Sequence, residues 1–201
     1  MSKSTRYSAA LIAVCAMYAA LLVGGKEALA ALPNIEVVTL LIALCAYVWG
    51  AVVVFPAVNV FIAVDMAIWG VNTWIISYFI HWNTVALVFW LLGAISFRHK
   101  AVEITTATLT ATVLTTLFGV LTSAVDTLVG FTGKGFFGDF DDFFVRFAAM
   151  YVRGWVPPYY LAQIVCNVVL FSVAFVPLVA LNRKARLKLL PNDKQTTDQS
   201  N

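Results

Sequence analysis

Charge is what this sequence has least of. Only 11% of its 201 residues are Asp, Glu, Lys or Arg, while 62% are hydrophobic and the mean hydropathy is +0.90. A soluble domain carries about 25% charged residues, so this chain cannot cover a globule with charge. Histidine occurs twice, and Cys15, Cys45 and Cys166 are too few and too dispersed for a metal-ligand pattern. No metal centre is expected, and the cysteines read as small apolar packing residues. A nucleophile–base pair is missing too, so no catalytic residue and no cofactor is expected. Nothing alternates apolar with polar as a barrel strand would. The net charge of +3 is too small to suggest a nucleic-acid partner.

What is present is six long apolar runs. In hydrocarbon every backbone N–H and C=O must be satisfied within its segment, so such runs become helices. The predicted class is an all-α integral membrane protein with spans at 8–23, 36–50, 51–70, 74–97, 104–130 and 156–181. Spans two and three are short and meet at Trp49-Gly50 with almost no polar linker. The first run is followed by Gly-Gly-Lys-Glu rather than a small-x-small cleavage site, so it is expected to stay as a helix. The membrane domain is expected over 1–185, with a disordered tail at 186–201.

Basic residues set the expected orientation. Lys3 and Arg6 precede span one, Arg98 and Lys100 separate spans four and five, and Arg183, Lys184, Arg186 and Lys188 follow span six. The positive-inside rule makes all three places cytoplasmic, with both termini inside.

Span one carries Ala9, Ala13, Ala16 and Ala20 within about 60° of one another on a helix. Small residues at this spacing let backbones approach closely. They suit either packing inside the chain or docking onto another membrane subunit.

The outer half holds the polar and aromatic groups. Asn34 is expected to cap the second helix with Glu36 in its first turn, or the two form the polar wall of an external pocket. Asn72, Trp74, Tyr78 and Trp82 follow, with the three aromatics on one helical stripe and His81 and Asn83 beside it. Such a stripe is either an interfacial belt or a stacking surface for a planar ligand. Asp65 and Asp126 lie inside spans three and five, suited to pairing with Arg146, Arg153 or Lys134, or to binding an ion. Between 131 and 155, Phe140, Phe143, Phe144, Phe147 and Tyr151 recur at helical intervals, with Asp139 as N-cap and Asp142–Arg146 as an i,i+4 pair. A short amphipathic helix across the outer surface is predicted there, resting on lipid or serving as a lid. Trp155 and Tyr160 flank the Pro157-Pro158 start of span six, and Gln163 and Asn167 project from one face of it. This amide pair either joins helices or meets a ligand.

The string Leu32-Pro33-Asn34-Ile35-Glu36-Val37-Val38-Thr39-Leu40-Leu41 gives the most specific likeness. Together with the alanine face, the Gly70-Val71-Asn72-Thr73-Trp74 turn and the surroundings of Asn167, it resembles the S component of an energy-coupling factor (ECF) vitamin transporter. The resemblance implies six helices with both ends cytoplasmic and an extracellular ligand beneath the loops after helices one, three and five. It further implies that Ala9, Ala13, Ala16 and Ala20 dock on a membrane T subunit driven by two cytoplasmic ATPases. The chain has no G-x-x-x-x-G-K-[ST] of its own, so ATP hydrolysis falls to a partner. The substrate-binding residues would be Asn34, Glu36, Asn72, Trp74, Tyr78, Trp82, Trp155, Tyr160, Gln163 and Asn167. Within the family the chain is most similar to the branch proposed for cobalamin; folate, riboflavin, a queuosine-type precursor and pantothenate are the other vitamin-like candidates. An intramembrane enzyme, an independent secondary transporter and a structural adaptor are the rival classes.

Overall fold

The computed structural model describes residues 3–32, 34–129, 140–151 and 159–190, the side chains of 3–6, 140–142, 150 and 159 excepted. Seven helices run through these residues: α1 (Lys3–Ala28), α2 (Val38–Trp49), α3 (Ala51–Trp69), α4 (Trp74–Gly93), α5 (Lys100–Val129), α6 (Phe140–Tyr151) and α7 (Tyr159–Leu189). Five of them contain stretches long and apolar enough to cross a membrane: Tyr7–Ala28, Ala51–Trp69, Trp74–Gly93, Lys100–Val129 and Tyr160–Leu189. The described residues are all-helical, and the apolar helices among them mark a multi-pass membrane protein.

The exception is α2. At 12 residues it is about 18 Å long, well short of the ~30 Å of a bilayer's hydrocarbon core. The span expected at 36–50 is therefore shorter than predicted and does not qualify as a crossing by length. Every residue of α2 except Leu41 is buried, and the helix packs against α1, α3, α4 and α7. A helix apolar all round belongs inside a bundle, where neighbours rather than lipid cover it. Gly50, at φ +79, reverses the chain directly from α2 into α3. That is a backbone conformation glycine adopts without strain.

Aromatic rings fill the space around α2. Phe171 stacks on Phe175 at 5.3 Å, Phe89 meets both, and Tyr47 abuts Phe175 edge-on at 5.3 Å. Gly93 lets α4 approach the α2 backbone; a Cβ there would lie 2.6 Å from the Tyr47 carbonyl oxygen. The hydroxyls of Thr112, Thr116, Thr122, Ser123 and Thr127 each donate to the carbonyl four residues earlier. This back-bonding satisfies their polar groups inside α5, which is how so Thr-rich a helix suits an apolar environment.

The two ends of α2 differ in chemistry. Near its C-terminal end the Tyr47 hydroxyl donates to Glu103 at 2.8 Å, Trp49 donates to Asn182 at 3.2 Å, and Arg186 donates to the Val48 carbonyl. This is the end where the basic residues of 98–100 and 183–188 gather. α7 continues to Leu189, and Leu190 is buried, so the tail expected from 186 begins as helix; 191–201 lie outside the described residues.

α6 departs from prediction in placement. The Tyr151 hydroxyl donates to the Thr116 carbonyl, 13 residues or about 20 Å along α5 from Val129. The end of α6 thus lies against the flank of α5 instead of across its tip. Gly119 makes room for it, since a Cβ at that position would meet Tyr151 Cζ at 2.7 Å. Asp139 and the Asp142 side chain of the expected cap and ion pair lie outside the described residues.

Candidate ligand cavity

α1 ends at a cluster of opposite charges and rings. The Lys26 ammonium pairs with both carboxylate oxygens of Asp65, which is 2% exposed. The same ammonium sits 5.2 Å from the Tyr78 ring, 5.5 Å from Trp74 and 5.9 Å from Trp69. Ring quadrupoles attract a cation at such distances, so Lys26 joins α1, α3 and α4 at this end. Glu27 adds a second tie by accepting from Trp69 Nε1 at 2.9 Å. Asp65 thus has a different partner from those predicted. Asp126 accepts from the Thr73 hydroxyl, again a partner the sequence did not suggest; Lys134 and Arg153 lie outside the described residues.

Below this cluster opens a cavity of about 330 Å³. Lys26, Leu29, Ala30 and Leu32 line it from the α1 side, and Asn34, Ile35, Glu36 and Val38 from the entry into α2. Trp74, Tyr78 and Trp82 come from α4, Phe118 and Thr122 from α5, and Tyr160 and Gln163 from α7. Trp74 and Tyr78 are 4.9 Å apart, Tyr78 and Trp82 5.7 Å, each pair edge-to-face, as the i,i+4 stripe anticipates. Phe118 extends this wall towards Tyr160. The cavity lies at the end of the bundle remote from the basic residues.

Glu36 sits outside the helix it was expected to open. α2 begins at Val38, and the Glu36 carboxylate reaches forward to accept from Thr39 N–H at 2.9 Å and from the Thr39 hydroxyl. A side chain accepting from a first-turn N–H satisfies one of the helix's orphan donors. Glu36 therefore does the capping assigned to Asn34, which instead occupies a left-handed turn at φ 60. The Asn167 amide donates to Glu36 Oε1 at 2.8 Å and to Thr115 Oγ1 at 2.9 Å, completing a buried polar floor.

Of the residues predicted for the site, Asn34, Glu36, Trp74, Tyr78, Trp82, Tyr160 and Gln163 surround this one cavity. Asn167 lies behind Glu36, fully buried. Asn72 is exposed, accepts from Thr73 N–H at 2.6 Å and does not line the cavity. Trp155 lies outside the described residues. His81 is buried against Phe118 and Trp82, and Asn83 faces Asn59 across α3 and α4. Lys26, Phe118 and Thr122 were not chosen from the sequence. The last two are an i,i+4 pair on α5 that was hidden among its many apolar and Thr residues.

Within the lining, Tyr160 and Trp82 each hold a buried polar atom, the phenol oxygen and Nε1, with no partner among the described residues. Buried polar atoms are normally paired with protein or ordered water. A second depression, of about 470 Å³, runs along Ile35 and Leu161, Val165, Cys166 and Val169 of α7 and offers no polar group beyond a thiol.

Compared with known protein families, curated proteins and solved structures, the chain matches none.

The alanines of α1 stand apart from this cavity. Ala9, Ala13, Ala16 and Ala20 are all exposed, while Val14, Tyr18, Ala19 and Leu22 on the opposite side are buried. Packing of the small-residue face within the chain, one of its two expected uses, is therefore not seen among the described residues.

Proposed function

We propose that this chain is a substrate-binding S component of an ECF-type importer in the cell membrane. In this reading both termini are cytoplasmic, α2 counts as a sixth, lipid-shielded segment, and the cavity opens to the outside. The observation that carries it is the cavity itself. Polar and aromatic side chains from four helices and the 29–36 segment converge on one end of the bundle, opposite the basic residues. Clefts of this size with an apolar wall and a few placed polar groups are the usual form of a small-molecule site.

The exposed alanine face supports the second half of the proposal. Small residues on a membrane helix that cover none of the described residues suit close approach by a partner helix. That partner is the membrane T subunit, with two cytoplasmic ATPases beneath it. Cobalamin, to whose branch the chain is most similar, and the flatter vitamins named with it would each meet the aromatic wall of Trp74, Tyr78, Trp82 and Phe118.

Co-purification tests the docking. Ala13→Trp is expected to abolish recovery of the T subunit while leaving the chain's thermal unfolding unchanged, because Ala13 is exposed. Undiminished recovery would remove the docking face from the proposal.

A further inference from the structure

We infer that the cavity accepts a small planar heterocycle presenting an N–H donor edge, neutral or cationic, and discriminates against carboxylates. The inference rests on the solute-binding reading above and narrows its substrate class.

Charge carries the first part. Among the described residues the lining contains one cation, Lys26, and its charge is matched by both oxygens of Asp65. Glu36 has no Lys or Arg partner among the described residues; its neighbours are Thr39 and Asn167. An entering anion would meet an uncompensated carboxylate where low dielectric strengthens repulsion.

Hydrogen-bond capacity carries the second part. A carboxylate accepts at about four lone-pair sites. Glu36 Oε1 already accepts from the Thr39 hydroxyl and Asn167 Nδ2, and Oε2 from Thr39 N–H. Among the described residues' bonds one site is left over, on Oε2, and it can take only a donor. Gln163 lines the same cavity and no hydrogen bond joins its amide to a described residue, so it can both donate and accept there. A ring N–H or exocyclic amine suits Glu36, and a ring nitrogen or carbonyl suits Gln163. Trp74, Tyr78 and Phe118 provide faces and edges for the ring itself.

Three isosteric probes test this: 2-aminobenzimidazole, benzimidazole and benzimidazole-2-carboxylate, titrated against the full chain in detergent by calorimetry. The amino compound is expected to bind with a Kd of about 1 mM or tighter. It should exceed the carboxylate by at least about tenfold. In Glu36→Gln this ratio should collapse to about threefold or less. Glu36 also caps α2, so unfolding of the variant is followed in parallel; where it does not fold, the ranking by the natural chain decides. A carboxylate bound as well as the amine, no binding of the amine at about 1 mM, or a ratio that survives in folded Glu36→Gln would overturn the inference. The carboxylate outcome would leave solute capture standing. A native mass spectrum of the purified chain without any bound small molecule, together with no probe binding, would overturn both.

Discussion

The Asn167 amide donates to Glu36 at 2.8 Å and to Thr115 at 2.9 Å, so one fully buried side chain ties α7 to α5 and to the entry of α2. Because Glu36 is itself the cap of α2, the floor of the cavity and the start of the central helix are one hydrogen-bonded unit.

Asn167→Leu is accordingly expected to destabilise the fold by about 1–3 kcal/mol, the range for leaving buried partners unsatisfied. Asn167→Asp should cost more, since it sets a second carboxylate against Glu36. Thermal unfolding in detergent, followed by tryptophan fluorescence, measures both.

Lys26→Met removes the only described ionic partner of Asp65, which is 2% exposed. Breaking a buried pair on one side costs about 3–5 kcal/mol; the Lys26 side chain is 25% exposed, which puts the expectation at the lower end. Lys26→Met combined with Asp65→Leu should regain most of the loss, because no lone buried charge remains. A double-mutant cycle in chemical unfolding reads the coupling.

Glycines at two depths of the bundle should respond oppositely. Gly93→Ala drives a methyl against the Tyr47 backbone, which cannot turn aside, and is expected to destabilise by about 1–3 kcal/mol. Gly24→Ala meets nothing within 4 Å in the interior of α1 and should stabilise by up to about 1 kcal/mol through helix propensity. Melting temperatures of the two single variants make the comparison.

Gly119→Ala should loosen α6, because the new methyl occupies the place of the Tyr151 ring. Faster amide exchange across 140–151 is the expected sign. In a Tyr151→Ala background the same Gly119→Ala change should add little further exchange.

Much of this was legible in local spacing. Apolar runs marked the helices, the Trp74–Tyr78–Trp82 interval marked a common face, and Trp49-Gly50 marked the reversal between α2 and α3. Pairings between distant segments were not legible. Nothing in the sequence around Asp65 points to Lys26, 39 residues earlier, and Thr73 gives no sign of its bond to Asp126. Periodicity also says little about a helix that is apolar all round, so it does not reveal that α2 is short and covered by other helices. Glu36 rather than Asn34 reaches the first turn of α2 because capping depends on where the helix starts, and residue patterns place such boundaries only to within a few positions.

Reconstituted vesicles separate capture of a solute from its powered movement. Vesicles holding this chain as sole protein should bind an outside solute without concentrating it, and should accumulate it on ATP only when the T subunit and both ATPases are added. Uptake against a gradient by the chain alone would contradict the account.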